Sequence, residues 1–154
     1  MKLKLPYKTN WLIACLLCIK GRAMDHKSDE LSALVQQRLG LCADCPGFFG
    51  AVISTRDGLI LASSGKFRGD APAACAAQLL EMATDSLSVI APAQTAELLI
   101  WTSDQLWCLK KVDDRHLLLA ASNDLFSAGA LRMLAQQSAQ QLAAVLPLLY
   151  KNEP

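Results

Sequence analysis

Two cysteines three positions apart are the first candidates for chemistry in this sequence. The six cysteines lie at positions 15, 18, 42, 45, 75 and 108, and Cys42 and Cys45 have the spacing of half a zinc site or of a redox pair. A structural zinc site needs four ligands, whereas His26 and His116 stand alone in the sequence. Because this pair follows a helical pattern and leads into a Pro-Gly turn, we expect inert thiols, with a redox or metal role as the alternative.

Other residue patterns typical of catalysis are absent from the sequence. The glycines at positions 47, 50, 58, 65 and 69 lack the Lys-Ser/Thr partner of a phosphate-binding loop. No Gly-x-Ser-x-Gly nucleophile motif occurs. Asp113 and Asp114 are adjacent acids in a predicted connection between strands, where turn formation explains them better than metal binding. We therefore predict a protein that is not an enzyme and that uses no cofactor or metal.

Two tryptophans could instead anchor a partner. In the simplest register of the predicted strands, Trp101 and Trp107 face one another across neighbouring strands. Aromatic side chains near a sheet edge are frequent hot spots of binding. Packing in the core would account for the same two residues, so the sequence leaves both interpretations open.

The distribution of charge limits the classes of partner. The 154-residue chain has a net charge of +1, although residues 1–23 hold five basic side chains and no acid. The remainder has ten basic and fourteen acidic side chains, a net charge of −4, which argues against a nucleic-acid-binding surface. With 53% apolar and 19% charged residues, the chain has the composition of one folded domain.

Residues 1–23 form a basic and apolar leader that we expect to lie outside the fold, with the domain at residues 24–154. The apolar run from Trp11 to Ile19 is too short for a membrane span, which needs about 20 residues. Translation from Met24, a partner-bound tail, and an export or lipid-anchoring signal at Cys15 are the alternative explanations of this segment. We expect a cytoplasmic protein.

Residues 50–65, GAVISTRDGLILASSG, predict a β-hairpin. Val52 and Ile53 before the turn, and the apolar residues 59–61 after it, favour strands. Asp57 and Gly58 supply the turn, because this pair tolerates the positive φ angles that a short connection requires.

Three helices and three further strands are predicted around this hairpin. Apolar residues recur at helical spacing between Leu31 and Leu39, from about residue 70 to Val89, and from about residue 124 onwards, where Pro147 ends or bends the last helix. The predicted N-caps are Ser28, Asp70, and either Asn123 or Asp124. The three strands are predicted at Glu97 to Thr102, Leu106 to Val112 and His116 to Ala121.

The order α-β-β-α-β-β-β-α predicts an α+β fold, with a five-stranded, mainly antiparallel sheet and helices on both faces. Consecutive apolar residues, as in Leu98 to Trp101, are typical of strands that are covered on both faces. One helix rarely covers a whole face of such a sheet. The second helix would therefore leave exposed apolar surface on its side, from which we predict self-association.

The sequence resembles the roadblock/dynein light-chain family in its bacterial form. The resemblance covers about residues 28–147 and rests on Pro46-Gly47, the hairpin with its Asp57-Gly58 turn, the alanine-rich second helix, and the three-strand meander before the final helix. Profilin-like and longin folds share part of this pattern. Cys42, Cys45 and the basic leader depart from the common family pattern.

The resemblance implies a homodimer or heterodimer in which the third strand pairs with its counterpart and the second helices pack together. Carried over to this sequence, it nominates residues of the second helix and the third strand: Leu79, Met82, Ala83, Ser86, Leu98, Ile100 and Thr102. It also implies that the dimer binds a small Ras-like GTPase as a non-enzymatic regulator or scaffold. Arg56, in the hairpin turn, is a weak candidate for an arginine finger.

Two functions of other classes compete with this interpretation. A profilin-like sensor of small ligands predicts a monomer or loose dimer with a polar cavity on one sheet face, which the continuously apolar strands disfavour. A thiol oxidoreductase using Cys42 and Cys45 predicts a low thiol pKa. The dimeric GTPase-binding module is the leading interpretation.

Overall fold

The computed structural model describes residues 29–92 and 94–151. Its helices and strands, in chain order, are α1 (29–39), β1 (Phe48–Thr55), β2 (Ile60–Gly65), α2 (Ala71–Ser88), β3 (Glu97–Trp101), β4 (Leu106–Lys111), β5 (His116–Ser122) and α3 (Ala128–Tyr150). This order confirms the predicted one, and a short 3-10 turn, Gly40–Asp44, joins α1 to β1. The predicted leader, the start at Met24 and the cap at Ser28 lie outside the described residues.

The five strands form one antiparallel sheet in the order β2-β1-β5-β4-β3. The central strand β5 is buried along its whole length. Its neighbours β1 and β4 separate it from the two edge strands, β2 and β3. The predicted α+β fold with a five-stranded antiparallel sheet is therefore confirmed.

The helices cover the two faces of the sheet in the predicted way. On one face, here called the α1–α3 face, Leu39 of α1 and Leu142 of α3 pack with Leu118 of β5. On the opposite face, the α2 face, Leu80 of α2 packs with Leu119 of β5. Because alternate residues of a strand point to opposite faces, the uniformly apolar strand β5 contributes to both cores.

In the hairpin turn, the positive φ angle belongs to the glycine and not to Asp57. The N–H of Gly58 donates to the carbonyl of Thr55 at 3.0 Å, and the N–H of Thr55 donates to the carbonyl of Leu59 at 2.8 Å. Gly58 has a φ of 85°, and every positive φ angle among the described residues belongs to a glycine. Asp57 therefore contributes no left-handed conformation. The turn therefore closes with a left-handed glycine, a residue type that short hairpin connections favour.

The register of β3 and β4 corrects one prediction. Ile100 lies opposite Trp107, and Trp101 lies opposite Leu106. Directly opposed residues share a face, so Trp101 and Trp107 lie on opposite faces, and the prediction that they face one another is wrong. The N–H of Thr102 donates to the carbonyl of Gln105 at 2.8 Å, which leaves a two-residue connection where three residues were expected. A shift of one residue moves a side chain to the other face.

The helix ends also differ from the predicted ones. Asp70 precedes α2 as expected, but its side chain makes no capping hydrogen bond. α3 begins four residues after Asp124, which was a predicted cap; Asp124 Oδ1 instead accepts the N–H of Phe126 at 3.0 Å within the preceding turn. Pro147 does not end α3, which continues to Tyr150. Pro147 removes the N–H that would bond the carbonyl of Ala143, and the three residues after it remain helical.

Candidate protein-interaction surface

β3 is an edge strand whose side chains are incompletely covered. Glu97, Leu98, Leu99 and Ile100 are half-buried, and Trp101 is 54% exposed. The register places Leu98 and Ile100 on the α2 face and the other three residues on the α1–α3 face. An edge strand presents unpaired N–H and C=O groups, and apolar side chains on both of its faces make it a template for pairing with another chain.

The second half of α2 adds exposed apolar surface on the same face. Met82 is 60% exposed and Leu87 is 47% exposed, and the turn after the helix carries Val89 and Ile90, which are 86% and 83% exposed. α2 packs on β1 and β5, so the β3 side of this face has little helix above it. The expected excess of apolar surface on this side of the sheet is therefore present.

The structure brings together only part of the nominated interface. Leu79 and Leu98 contact the same cluster on the α2 face, whereas Met82 and Ser86 are exposed on α2. Thr102 lies beyond β3, in the connection to β4, and its hydroxyl accepts the N–H of Gln105 at 3.0 Å. Thr102 therefore belongs to the turn at the end of this surface. Whether these residues contact a second chain stays a prediction.

A charged cluster ties β3 to its neighbours on the α1–α3 face. Lys110 of β4 donates to Glu97 Oε2 at 2.7 Å, and Arg132 of α3 donates to Glu97 Oε1. Burial acts to raise the pKa of the Glu97 carboxyl, but the hydrogen bonds and charges of Lys110 and Arg132 outweigh it and lower that pKa. The cluster went unpredicted because Arg132 is 35 residues away from Glu97 in sequence.

An open groove of about 370 Å³ lies beside this cluster. It is lined by residues of β3 and α3: Glu97, Gly129, Arg132, Met133 and Gln136. Near the β3 end of the same face, the indole of Trp101 donates to the carbonyl of Leu125 at 3.3 Å. Phe126 is 97% exposed and Met133 is 55% exposed. The α1–α3 face therefore has its own exposed apolar side chains at the β3 edge.

The cysteine pair has the properties of buried structural thiols. Cys42 and Cys45 are free and buried, and burial raises the pKa of Cys42 to about 11, against a smaller lowering by its hydrogen bond with Ser138. Burial also raises the pKa of the Cys108 thiol to about 12. Since the thiolate is the reactive form, these values support inert thiols. Among residues 29–92 and 94–151, no group of three His, Cys, Asp or Glu side chains could hold a metal ion.

A buried histidine cluster is the arrangement most like a catalytic one, and sequence reasoning missed it. His116 Nδ1 lies 2.8 Å from both carboxylate oxygens of Asp113, and His116 Nε2 lies 2.8 Å from the Tyr150 hydroxyl. Asp113 Oδ1 also accepts the N–H groups of Arg115 and His116, which supports the predicted turn role. Both ring nitrogens of His116 thus have hydrogen-bond partners, and the cluster joins α3 to the β4–β5 turn.

A cavity lies at one end of the sheet, near the hairpin turn and the β4–β5 turn. It measures about 640 Å³, and its lining includes Arg56 and Asp57 of the hairpin turn, Glu81 of α2, Arg115 of the β4–β5 turn and Tyr150 of α3. Charges of both signs line it, so it presents no single sign to a ligand. Arg56 thus lies at this cavity, in the turn that joins β1 to β2, whereas β3 is the other edge strand of the sheet.

Comparisons with known proteins identify the fold. No protein-family model matches the sequence, and no curated protein matches it. A solved structure described as MglB with a tetrameric arrangement superposes with a TM-score of 0.70 at 14% identity, over 77% of this chain and 92% of that one. The gliding protein MglB from Thermus thermophilus gives a TM-score of 0.68 at 14% identity, over the same shares of the two chains.

A third solved structure is named for the domain itself. The Roadblock/LC7 domain from Streptomyces avermitilis superposes with a TM-score of 0.61 at 19% identity, over 74% of this chain and 96% of that one. None of the described helices is long and apolar enough to cross a membrane. At these identities the likeness concerns the fold, and in its fold this chain is similar to Roadblock/LC7 domain proteins, as the resemblance predicts.

Proposed function

We propose that this chain is a cytoplasmic homodimer that binds a small Ras-like GTPase as a regulator or scaffold, without catalysing a reaction of its own. The domain at residues 24–154 would carry this function. The observation that supports it best is the open edge of β3, which carries incompletely covered apolar side chains on the same face of the sheet as α2, itself partly exposed and apolar. The similarity in fold to Roadblock/LC7 domain proteins and the sequence resemblance supply the expectation of a GTPase partner.

The dimer would complete two surfaces that one chain leaves open. Pairing β3 with its copy satisfies the free backbone groups of both strands and makes one ten-stranded sheet. The α2 face near β3 has little helix above it, so the partner's α2 can cover Leu98 and Ile100 there. Met82 and Leu87 would then lie between the two helices. The tetrameric arrangement named for one similar MglB structure is consistent with self-association of this fold.

The regulatory step requires no catalytic residue from this chain. A dimer that binds the GTP-bound conformation more tightly than the GDP-bound one shifts the GTPase between its states through that difference in affinity alone. Arg56 belongs to the hairpin at the other edge of the sheet from β3 and lines a cavity of mixed charge. We therefore assign Arg56 no role as an arginine finger and expect control by docking.

Sedimentation equilibrium over a wide range of protein concentration tests the dimer. We expect the wild-type chain to sediment at twice its 16.6 kDa mass, and the Ile100→Lys variant to sediment as a folded monomer. A wild-type chain that stays monomeric at every concentration would contradict the proposed interface.

Affinity capture tests the GTPase partner. The tagged protein is incubated with native cell lysate containing a GTP or a GDP analogue, and the bound proteins are identified by mass spectrometry. We expect one small GTPase to be retained preferentially in one nucleotide state, with the purified pair reproducing this preference. Ile100→Lys is the matched control. Recovery of the same partners with both nucleotides, or of the protein alone, would argue against a GTPase regulator.

A sensor of small ligands is the second candidate, favoured by the cavity of about 640 Å³ near Arg56 and Arg115. This cavity lies at the end of the sheet, where polar and charged side chains predominate in its lining, and it does not involve β3. The sensor hypothesis expects a monomer or a loose dimer, so the sedimentation experiment separates the two candidates. The raised pKa of Cys42 weighs against the thiol oxidoreductase.

A further inference from the structure

We propose that, in the dimer, Trp101 of each protomer lies in the groove between β3 and α3 of the other protomer. The groove is the one lined by Glu97, Gly129, Arg132, Met133 and Gln136. This inference rests on the proposed pairing of β3 with its own copy. It adds a second interface on the α1–α3 face, opposite the α2 helices, with a second copy of this chain as the occupant.

Symmetry limits the register of the paired strands. A two-fold axis perpendicular to the sheet keeps both α2 helices on one face, and directly opposed residues of antiparallel strands share a face. Residues of even and odd number in β3 point to different faces, so two opposed residues must both have even numbers or both have odd numbers. The two-fold axis must therefore pass beside one residue, which lies opposite its own copy. Centring the axis on Leu99 pairs all five residues of the strand. Trp101 then lies opposite Glu97 of the other protomer, and Leu98 lies opposite Ile100.

The same geometry leaves a trough for the indole ring. α3 packs on β4 and β5. With a strand spacing of about 4.8 Å, the two α3 axes would lie on the order of 14–19 Å apart across the axis. Packed helices lie about 8–10 Å apart, so the α3 helices do not meet and the β3 strands form the floor of a trough. Opposed Cβ atoms are about 5 Å apart, which brings Trp101 within reach of the groove beside Glu97. To enter it, the indole would give up its exposed 3.3 Å hydrogen bond to the carbonyl of Leu125 in its own chain.

The groove has the chemistry to receive an aromatic ring. The side chain of Arg132 is 63% exposed, and its guanidinium is held in place by Glu97, whose own side chain is only 17% exposed. A fixed guanidinium stacks on the face of an indole through a cation–π interaction. Met133, which is 55% exposed, supplies a polarisable thioether to the ring edge. The groove therefore offers an aromatic ring a cation and a thioether to contact.

The proposed contact also supplies area that the strands lack. A stable protein interface buries about 1,600 Å² in total, of which two five-residue strands provide a small part. A buried tryptophan contributes roughly 150–250 Å², and each dimer would bury two of them. Phe126, which is 97% exposed beside Trp101, extends the apolar area at each end of the trough.

Mixing two defective variants tests the contact across the interface. Trp101→Ala removes the occupant, and Gly129→Trp fills the groove. Apart from the neighbouring backbone of its own helix, a Cβ added at Gly129 has no atom within 4 Å, so the new side chain starts in open space. We expect each variant alone to raise the dimer dissociation constant roughly 10- to 100-fold. The matched control Gly129→Ala should dimerise like the wild type.

The mixed pair is the decisive sample, because it retains one intact tryptophan and one intact groove on opposite chains. By symmetry each variant dimer loses both Trp101 contacts and the mixed pair regains one, so labelled Trp101→Ala protomers should bind Gly129→Trp protomers roughly 3- to 10-fold more tightly than either variant binds itself. Circular dichroism and thermal unfolding check that both variants are folded. A mixed pair no tighter than its parents, or single variants that dimerise like the wild type, would overturn this contact while leaving the β3 dimer intact. A monomeric wild type would overturn the dimer itself.

Discussion

The two edge strands of this sheet differ in how they are protected from other chains. β2 carries the small residues Ser63 and Ser64, ends at Gly65 with a φ of 74°, and pairs with β1 through a register shift after Ile53. Gln36 of α1 also donates to the carbonyl of Ser63 at 2.9 Å. β3 pairs with β4 over five residues without a shift and is apolar on both faces.

β2 is an edge strand that is protected from pairing with another chain, whereas β3 is an edge strand that is not. Irregular pairing, small polar side chains and cover by a neighbouring element are the ordinary means by which proteins prevent edge-to-edge association. β2 has all three, whereas the apolar side chains of β3 remain half-covered. A fold can therefore restrict association to one edge by protecting the other locally, and four measurements test this contrast.

Substitution of Gly65 should damage the β2 edge most. A Cβ there would lie 2.5 Å from the carbonyl oxygen of Phe49 and 2.7 Å from the Cα of Gly50, in a backbone conformation that disfavours side chains. We expect Gly65→Ala to lower the free energy of unfolding by about 3 kcal/mol, measured by urea denaturation. Gly69→Ala is the matched control, because Gly69 has a φ of 65° but open space around it, and should cost about 1 kcal/mol. An equal loss of unfolding free energy in the two variants would show that the close contact at Gly65 does not determine the cost.

A lysine introduced on each edge strand in turn should weaken dimer formation only when it lies on β3. Ile100→Lys places an ammonium group where the proposed dimer excludes water, so we expect the dimer dissociation constant to rise at least about 100-fold. Ser63→Lys at the exposed β2 edge is the matched control and should leave that constant unchanged. Sedimentation equilibrium measures both. A weakened Ser63→Lys dimer would show that β2 takes part in association.

The Glu97 cluster should make the β3 edge sensitive to pH. Lys110 and Arg132 stabilise the carboxylate, so Glu97→Gln should lower the free energy of unfolding by about 1 kcal/mol at neutral pH. The folded-state pKa lies below the ordinary value of 4.5, so this stabilisation is fully present above pH 4.5 and is lost as pH falls through the folded-state pKa. Urea denaturation of both proteins across this range should show the difference shrinking; a constant difference would contradict the assignment.

Removal of the bond from α1 to β2 should have the smallest effect. Gln36 is exposed, and its amide makes one hydrogen bond to the carbonyl of Ser63. We expect Gln36→Ala to lower the free energy of unfolding by about 0.5 kcal/mol, with faster hydrogen exchange confined to the β2 edge. Gln37→Ala, on the same exposed helix, is the control. New self-association of Gln36→Ala would show that this one bond closes the edge.

Local patterns were sufficient to predict most of the fold. The three strands of the meander were predicted to within one residue at their ends, because each is a short apolar run bounded by polar connections. Local patterns do not predict the register between β3 and β4. A connection that is shorter by one residue moves Trp101 to the face of the sheet opposite Trp107. The cap of α3 was also misplaced, because Asp124 satisfies a nearby backbone N–H in the preceding turn.

The candidate surface was predictable only in part. An apolar third strand and a wide apolar second helix can be recognised from residue types alone. The Glu97–Arg132 ion pair and the His116–Tyr150 hydrogen bond join residues 35 and 34 positions apart, so no short pattern signals them. The groove beside Glu97 likewise exists only because residues of α3, which packs on β4 and β5, come close to Glu97 of β3.

The amino-acid sequence by itself determined the order of the elements, their approximate ends and the apolar character of both faces of the sheet, because these depend on the periodicity of neighbouring residues. Only the tertiary structure decided which strand lies at the open edge, which face Trp101 occupies and which charges meet at Glu97. Those features depend on strand order, register and helix placement, which arise from contacts between residues distant in the chain.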